Sequence, residues 1–304
     1  LSILNTNASG TTTSSQLRIG MTNSVGASYA VMKVQEGGSD DYPDIIFGVQ
    51  NAATTTPTER MRIKDTGQVG IGETAPLGKL HVKSADTGAS VSANADELVI
   101  EGTRSGMTFL AATDNYSYIN FGDSGSVDIG SIRYGHPNND LRIIVGGNEA
   151  MVIDATGAVT MPLQPCFRVG SGTQDNVAVS ANVNVIFSNE IFDTNADFNT
   201  GTYTFTAPVT GKYQFEVLLR IANADTAYSY IQMVLGGSNR NTTMDTIAPV
   251  SNFMSADGEV SLRGSAILDM DTNDTAVVRI RMQGGTAQAD IDSDGSYFMG
   301  HLIG

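Results

Sequence analysis

A serine in Gly122-Asp123-Ser124-Gly125 and two runs of alternating aspartates are the residues whose types could do chemistry. A serine nucleophile needs a histidine base and an orienting carboxylate. His81, His136 and His301 sit in no context that supplies the base, so the stretch is read as a β-turn. Asp269, Asp271 and Asp274 form one acidic run, and Asp290, Asp292 and Asp294 before Gly295 form the other. Oxygens at alternate positions suit calcium, and the second run mimics the first half of a helix–loop–helix calcium loop. Its twelfth position is His301 rather than glutamate, and no helices flank it, so that design is rejected. Solvated turns between strands are the simple reading, with a calcium site of another design as the alternative.

Other chemistry is excluded by context. The glycines around Gly70 and Gly72 are followed by no strand–helix unit, so they are not a dinucleotide fingerprint. Paired carboxylates could cut polysaccharide, but the chain has no room for the large scaffold such work uses. The histidines have no metal-ligand spacing and are expected at the surface or an interface. No catalytic residue is assigned. A net charge of −15 argues against nucleic acid and against docking on anionic lipid. No apolar run reaches the ~18 residues of a membrane span, and no secretory leader is present. The chain begins at Leu1, so it is read as a fragment or processed product. Cys166 is the one cysteine, which excludes an internal disulfide, and its apolar neighbours suggest a buried thiol.

The elements that must position these residues are strands. Thirty-three glycines with many Thr, Ser, Asn and Asp suit short strands and turns rather than helices. Two segments repeat: "ERMRIKDTGQVGIG" from Glu59 and "EAMVIDATGAVTMP" from Glu149. Each alternates, as in Met61 and Ile63 against Arg62 and Lys64, then turns at Thr-Gly. Upstream, "LRIG" from Leu17 is paired with "LVIEG" from Leu98, which gives the second copy a longer connection to its glutamate. Each copy alone would bury too little, so neighbours or partner chains must supply the other face. The stretch from Glu59 to Val82 resembles the repeat of bacteriophage tail-fibre shafts, and "INFGDSGSVDIGSIRYGHPNNDLRIIVGGNEAMVI" resembles its remainder. That resemblance implies an elongated trimeric β-shaft. The second copy has Val159-Thr160-Met161-Pro162 where the first has Val69-Gly70-Ile71-Gly72. Similar repeats occur in bacterial surface proteins.

From Pro165 the strands lengthen and aromatics multiply. Strands are expected at 167–169, 183–187, 203–206, 212–221, 228–235, 243–250, 259–268, 276–282 and 297–303, which means a sandwich. In the fourth, Tyr213, Phe215, Val217, Leu219 and Ile221 share one dry face. Phe187, Asp193, Phe198, Phe205, Gly211, Tyr213 and Phe215 follow a fixed spacing that resembles the globular head of complement component 1q, the jelly-roll family shared with tumour necrosis factor. The ending "DGSYFMGHLIG" is similar too, and Val217 replaces the last aromatic of the pattern. The resemblance implies a ten-stranded jelly-roll and a homotrimer, with Phe187, Phe198, Phe205, Tyr213, Phe215, Tyr297 and Phe298 as core or trimer packing.

The expected fold class is all-β: repeats over residues 1–95 and 96–163, then a jelly-roll head over 164–304. Counting strand reversals back from Ile303 puts the loops 222–227, 251–258 and 284–296 at the end away from chain entry. Asn223, Asp225, Asn252, Phe253, Asp257, Asp290, Asp292 and Asp294 are therefore the candidate receptor-binding residues. Asp290, Asp292 and Asp294 are also the candidate calcium ligands. The function expected is a non-enzymatic virion fibre, tail or head, assembled in the host cytoplasm. Its partners would be a host cell-surface receptor, glycan or protein, and other virion proteins, without nucleic acid or membrane insertion. The alternatives are a trimerising cap or capsid decoration, and a bacterial surface adhesin or lectin.

Overall fold

The computed structural model describes residues 14–23, 26–36, 42–50 and 57–304. The first thirteen residues of the expected first repeat lie outside the described residues. The chain divides into two compact units, Leu1–Thr108 and Phe109–Gly304. No α-helix occurs among the described residues, and the fold is all-β.

The first unit holds a seven-stranded sheet in chain order: β1 (Ser14–Asn23), β2 (Gly26–Glu36), β3 (Pro43–Val49), β4 (Thr58–Ile63), β5 (Val69–Ile71), β6 (Leu80–Lys83) and β7 (Leu98–Glu101). The first five pair antiparallel, while β5, β6 and β7 run parallel. Alternation sends side chains to opposite faces, so register alone builds two apolar rows. One row runs Leu17, Met32, Phe47, Met61, Ile71, Val82, Ile100 across all seven strands. The second, two residues along, runs Val34, Ile45, Ile63, Val69, Leu80, Leu98. The opposite face carries Asp44, Ile46, Arg62 and His81, all but Arg62 fully buried.

The second unit opens with a five-stranded sheet: β8 (Tyr116–Phe121), β9 (Gly130–Gly135), β10 (Asp140–Val145), β11 (Asn148–Ile153) and β12 (Val159–Thr160). It repeats the first sheet in detail. In β3–β4 the register shifts after the pair Phe47–Met61, so Gly48 faces Glu59; in β10–β11 it shifts after Ile143–Met151, so Ile144 faces Glu149. The Thr-Gly turns match as well. Gly67 N–H donates to the Lys64 carbonyl and Gly157 N–H to that of Asp154, both at 2.9 Å. Both glycines have positive φ, 84° and 86°, which the turn requires. The Leu17–Leu98 pairing is corrected. Leu98 belongs to β7 at the edge of the first sheet, and register makes Ile119 in β8 the counterpart of Leu17. The second copy is the shorter one between strand one and its methionine. Four residues that look alike in sequence could not reveal which neighbour a strand would choose.

The rest of the second unit is β13 (Cys166–Gly170), β14 (Gln174–Val177), β15 (Val183–Asn184), β16 (Asn189–Asp193), β17 (Phe198–Asn199), β18 (Thr204–Thr206), β19 (Gly211–Ala222), β20 (Tyr228–Gly237), β21 (Asn241–Ile247), a 3-10 turn (Val250–Asn252), β22 (Val260–Met270), β23 (Thr275–Gly284), β24 (Ala289–Ile291) and β25 (Tyr297–Leu302). In one sheet β19 lies between β22 and the β24–β25 line, followed by β13 and β16, with β14 on β24. In the other β23 lies between β20 and the β15 and β18 edge, with β21 beyond β20 and β17 beyond β18. This is a jelly-roll sandwich with one shared core. Phe167 stacks between Phe198 and Phe205, both centroids at 5.0 Å, and meets Phe298 edge-on. Phe187, Phe205, Tyr213, Phe215 and Phe298 are fully buried, and Phe198 is 5 % exposed. Tyr213 satisfies its hydroxyl on the Val209 carbonyl at 2.7 Å. Gly300 is dictated by this packing, because a Cβ there would lie 2.5 Å from the Phe215 ring. Of the two roles expected for Tyr297 the core one is ruled out: it faces away from the core, where its hydroxyl donates to Glu216 at 2.6 Å under the Arg168 guanidinium. Alternation along β25 places neighbouring Phe298 inside and Tyr297 outside.

Candidate functional site

Strand pairing fixes which loops meet. Lys212 N–H bonds the Gly304 carbonyl and Leu302 N–H that of Pro165, so chain entry and chain end share one end of the jelly-roll. From there β19 runs to the opposite end, β20 returns, and the alternation continues through β24, whose direction β25 keeps. The loops 223–227, 248–259 and 285–288 therefore gather at the far end.

These loops are tied together by the aspartates singled out above. Asp225 Oδ1 accepts Ala227 N–H at 2.9 Å, and Oδ2 accepts the N–H groups of Thr286 and Ala287, each at 3.1 Å. Hydrogen bonds from Ala227, Ala287 and Thr286 hold its carboxyl below the usual aspartate range. Asn223, at φ 56°, donates through Nδ2 to Asp290 Oδ2 at 2.7 Å, while Asp290 Oδ1 accepts Asn176 N–H at 2.8 Å. Ala224 N–H donates to the Gly258 carbonyl at 3.0 Å, which brings in the third loop. Asn252, Phe253 and Asp257 stay exposed, Phe253 at 62 %.

One placement differs from the sequence reading. Asp290 is not in a loop: β24 pairs with Ile221 and Ala222 and continues the line of β25, interrupted by residues 292–296. Asp290, Asp292 and Asp294 do not converge on one point within a chain, and the cation expected of them is one shared between chains. Asp292 Oδ1 accepts Asp294 N–H at 2.9 Å and its Oδ2 lies 3.4 Å from Arg220, whose Nη1 also donates to the Asp294 carbonyl at 2.9 Å. Arg220 and Asn176 were missed because they come from strands distant in sequence, and no local pattern marks them. In the other acidic run Asp274 caps its own turn, with Oδ2 accepting Asp271 N–H at 2.8 Å and Oδ1 the Ser238 hydroxyl at 2.7 Å.

The one group of carboxylates and histidine that converges among the described residues is Glu73, His81 and Glu101 in the first unit, with ligand atoms within 4.8 Å of one another. His81 is fully buried, which corrects its expected surface position. Its Nδ1 accepts Leu77 N–H at 3.3 Å, so Nε2 carries the proton. Nε2 lies 3.0 Å from Glu101 Oε2, though off the hydrogen-bond direction. Lys83 already supplies the cation, paired to Glu73 and 3.8 Å from Glu101. A metal would need both the His81 proton and Lys83 removed, so the cluster is an ion network. The Gly122–Gly125 stretch is the turn expected: Asp123 Oδ1 accepts the N–H of Gly125 at 2.7 Å and of Ser126 at 3.0 Å. Cys166 is half-buried rather than buried, and desolvation together with Asp193 raises its thiol pKa.

Two β-sheets closed around an aromatic core between residues 166 and 303 decide the comparison with known families. Residues 166–303 match the C1q domain. Domains of the C1q and tumour-necrosis-factor type are non-enzymatic binding and trimerisation modules. Among solved structures, the chain is similar to the globular domain of zebrafish complement 1qA, at 19 % identity over 46 % of this chain and 98 % of that one, TM-score 0.35. It is similar to murine APRIL at 10 % identity over 46 % and 99 %, TM-score 0.35. Eiger TNF from S. frugiperda gives 13 % over 46 % and 93 %, TM-score 0.36. No curated protein matches the chain. The C1q domain accounts for the jelly-roll alone; the two repeat sheets precede it.

Proposed function

We propose that this chain is a trimeric, non-enzymatic fibre of a virion, in which the repeat sheets form the shaft and the C1q domain attaches to the host surface. The observation that carries the reading is the loop end opposite chain entry. Asp225 and Asp290 fix two loops there by hydrogen bonds, the Ala224–Gly258 backbone bond joins the third, and Asn252, Phe253 and Asp257 stand exposed on that third loop. An exposed aromatic on preorganised loops loses little entropy on binding, which suits recognition of a glycan or protein receptor. The repeated sheets support a shaft, since each stacks the same five-strand motif with the same bulge and turn. The test is adsorption of the full chain to bacterial cells and to a glycan array, with Phe253→Ala alongside. Binding that falls at least tenfold in the variant supports attachment through this end. A trimer that binds neither surface would leave a trimerising cap, and binding unaffected by Phe253→Ala would move the receptor surface elsewhere.

A further inference from the structure

Among the described residues, both repeat sheets leave one face uncovered, and it is the apolar one. In the first, Leu17, Met32, Val34, Phe47, Leu98 and Ile100 are each 37–49 % exposed although they lie in consecutive cross-strand pairs. In the second, Ile119 pairs with Ile132, Ile132 with Ile143 and Ile143 with Met151, beside a row of Tyr134, Leu141, Ile153 and Val159. Ile119, Ile132, Tyr134 and Val159 are exposed. The repeat puts Met61 and Ile63 on the first face at the positions that Met151 and Ile153 hold on the second. The ion pairs sit on the reverse, Asp44 and Arg62 in one sheet and Arg133, Asp140, Arg142 and Glu149 in the other, while Arg60 in the β4 bulge lies beside Ile71, Val82 and Ile100.

We propose that these two faces are the surfaces by which copies of this chain pack on one another, each against the same face of another copy. Charge favours a second copy. At −15 per chain, copies repel, so a contact between them must be free of like charge. Neither face has a charged residue in its rows. Repetition favours it as well, because another copy presents both faces with matching rows, whereas a foreign partner would need two separate apolar complements. Strand spacing makes the faces roughly 30 Å by 14 Å and roughly 20 Å by 14 Å, about 700 Å² in all, close to the ~800 Å² per partner of stable interfaces. Patches of this extent are rarely left open on a lone chain.

The number of copies, three, rests on the trimeric reading above; the location of the contact does not. The test is thiol cross-linking of the full chain in a Cys166→Ser background, with Ile71→Cys and Ile132→Cys as probes and Thr66→Cys and Thr156→Cys in the turns as controls. A short bismaleimide should join chains at 71 and at 132 and leave the controls single on a denaturing gel. Light scattering on the same samples separates the two ideas. A tripled mass without links at 71 or 132 overturns the proposed faces, leaves them to another partner, and keeps the trimer. A monomer without links overturns both.

Discussion

Asp225 shows how one carboxylate can organise a surface. Three backbone N–H groups from two loops converge on it, so its charge is stabilised in the fold and its pKa lies below the unfolded value. A depressed folded pKa contributes stability that is complete above the ordinary aspartate range and is lost as pH falls through the folded pKa. Asp225→Asn, which presents an amide hydrogen where an acceptor is needed, should melt lower than the parent at about pH 7 and converge with it only as the pH falls through the depressed folded pKa, below the ordinary aspartate range. Equal melting at neutral pH would show that the three bonds do not hold the loops. Deeper in the domain, Phe215→Ala should cost about 3–5 kcal/mol in denaturant unfolding, since the ring is fully buried among four others. The aromatic positions were legible from spacing because a period of two in β19 forces them onto one face. The partners of the acidic residues were not, since Asn176 and Arg220 reach them only through the tertiary fold.

At the level of strands, the two copies solve one electrostatic problem with different residues. Asp44 and Asp140 occupy matching places one residue before β3 and β10 begin to pair with β4 and β11, and Glu59 and Glu149 match at the bulge. In the first copy the arginine that joins Asp to Glu is Arg62 on β4, opposite Ile46 on β3; in the second it is Arg142 on β10, opposite Val152 on β11. The arginine and its aliphatic partner have exchanged strands. Arg142→Ile should therefore lower the melting temperature, leaving buried Asp140 without its partner, and adding Val152→Arg should recover most of the loss. A double variant no better than the single would mean that the exchange is coincidental. Gly157→Ala, whose turn has open space, should cost only about 1 kcal/mol, for backbone strain alone. Gly300→Ala should cost more, because the Phe215 and Phe167 rings stand in the way. The Thr-Gly turn and the alternation beside it were readable in sequence. β14, β16, β17 and β24 were not, because QDNV, NEIFD, FN and ADI are too short or polar to carry a period and exist only as partners of longer strands.

Assembly of the whole protein sets a large like charge against a large apolar surface. Three chains carry three times the −15 of one, and the ion pairs among the described residues join groups within a chain. If copies meet through the apolar faces, salt acts in one direction. Screening weakens repulsion between chains over a Debye length that shrinks from about 30 Å at 0.01 M to about 10 Å at 0.1 M, while apolar contact loses nothing. Sulfate should strengthen the contact further by its exclusion from protein surface. An assembly held by ion pairs between chains would behave oppositely, loosening as the same salt screened its attractions. The prediction is that the dissociation midpoint on dilution, followed by light scattering, moves to lower protein concentration as sodium chloride rises from about 0.01 M to about 0.1 M. Ile71→Glu with Ile132→Glu should shift it to higher concentration at every salt and steepen the salt dependence, since each adds like charge to a face that had none. A midpoint that rose with salt in the parent chain would place the contact on the charged faces of the sheets instead.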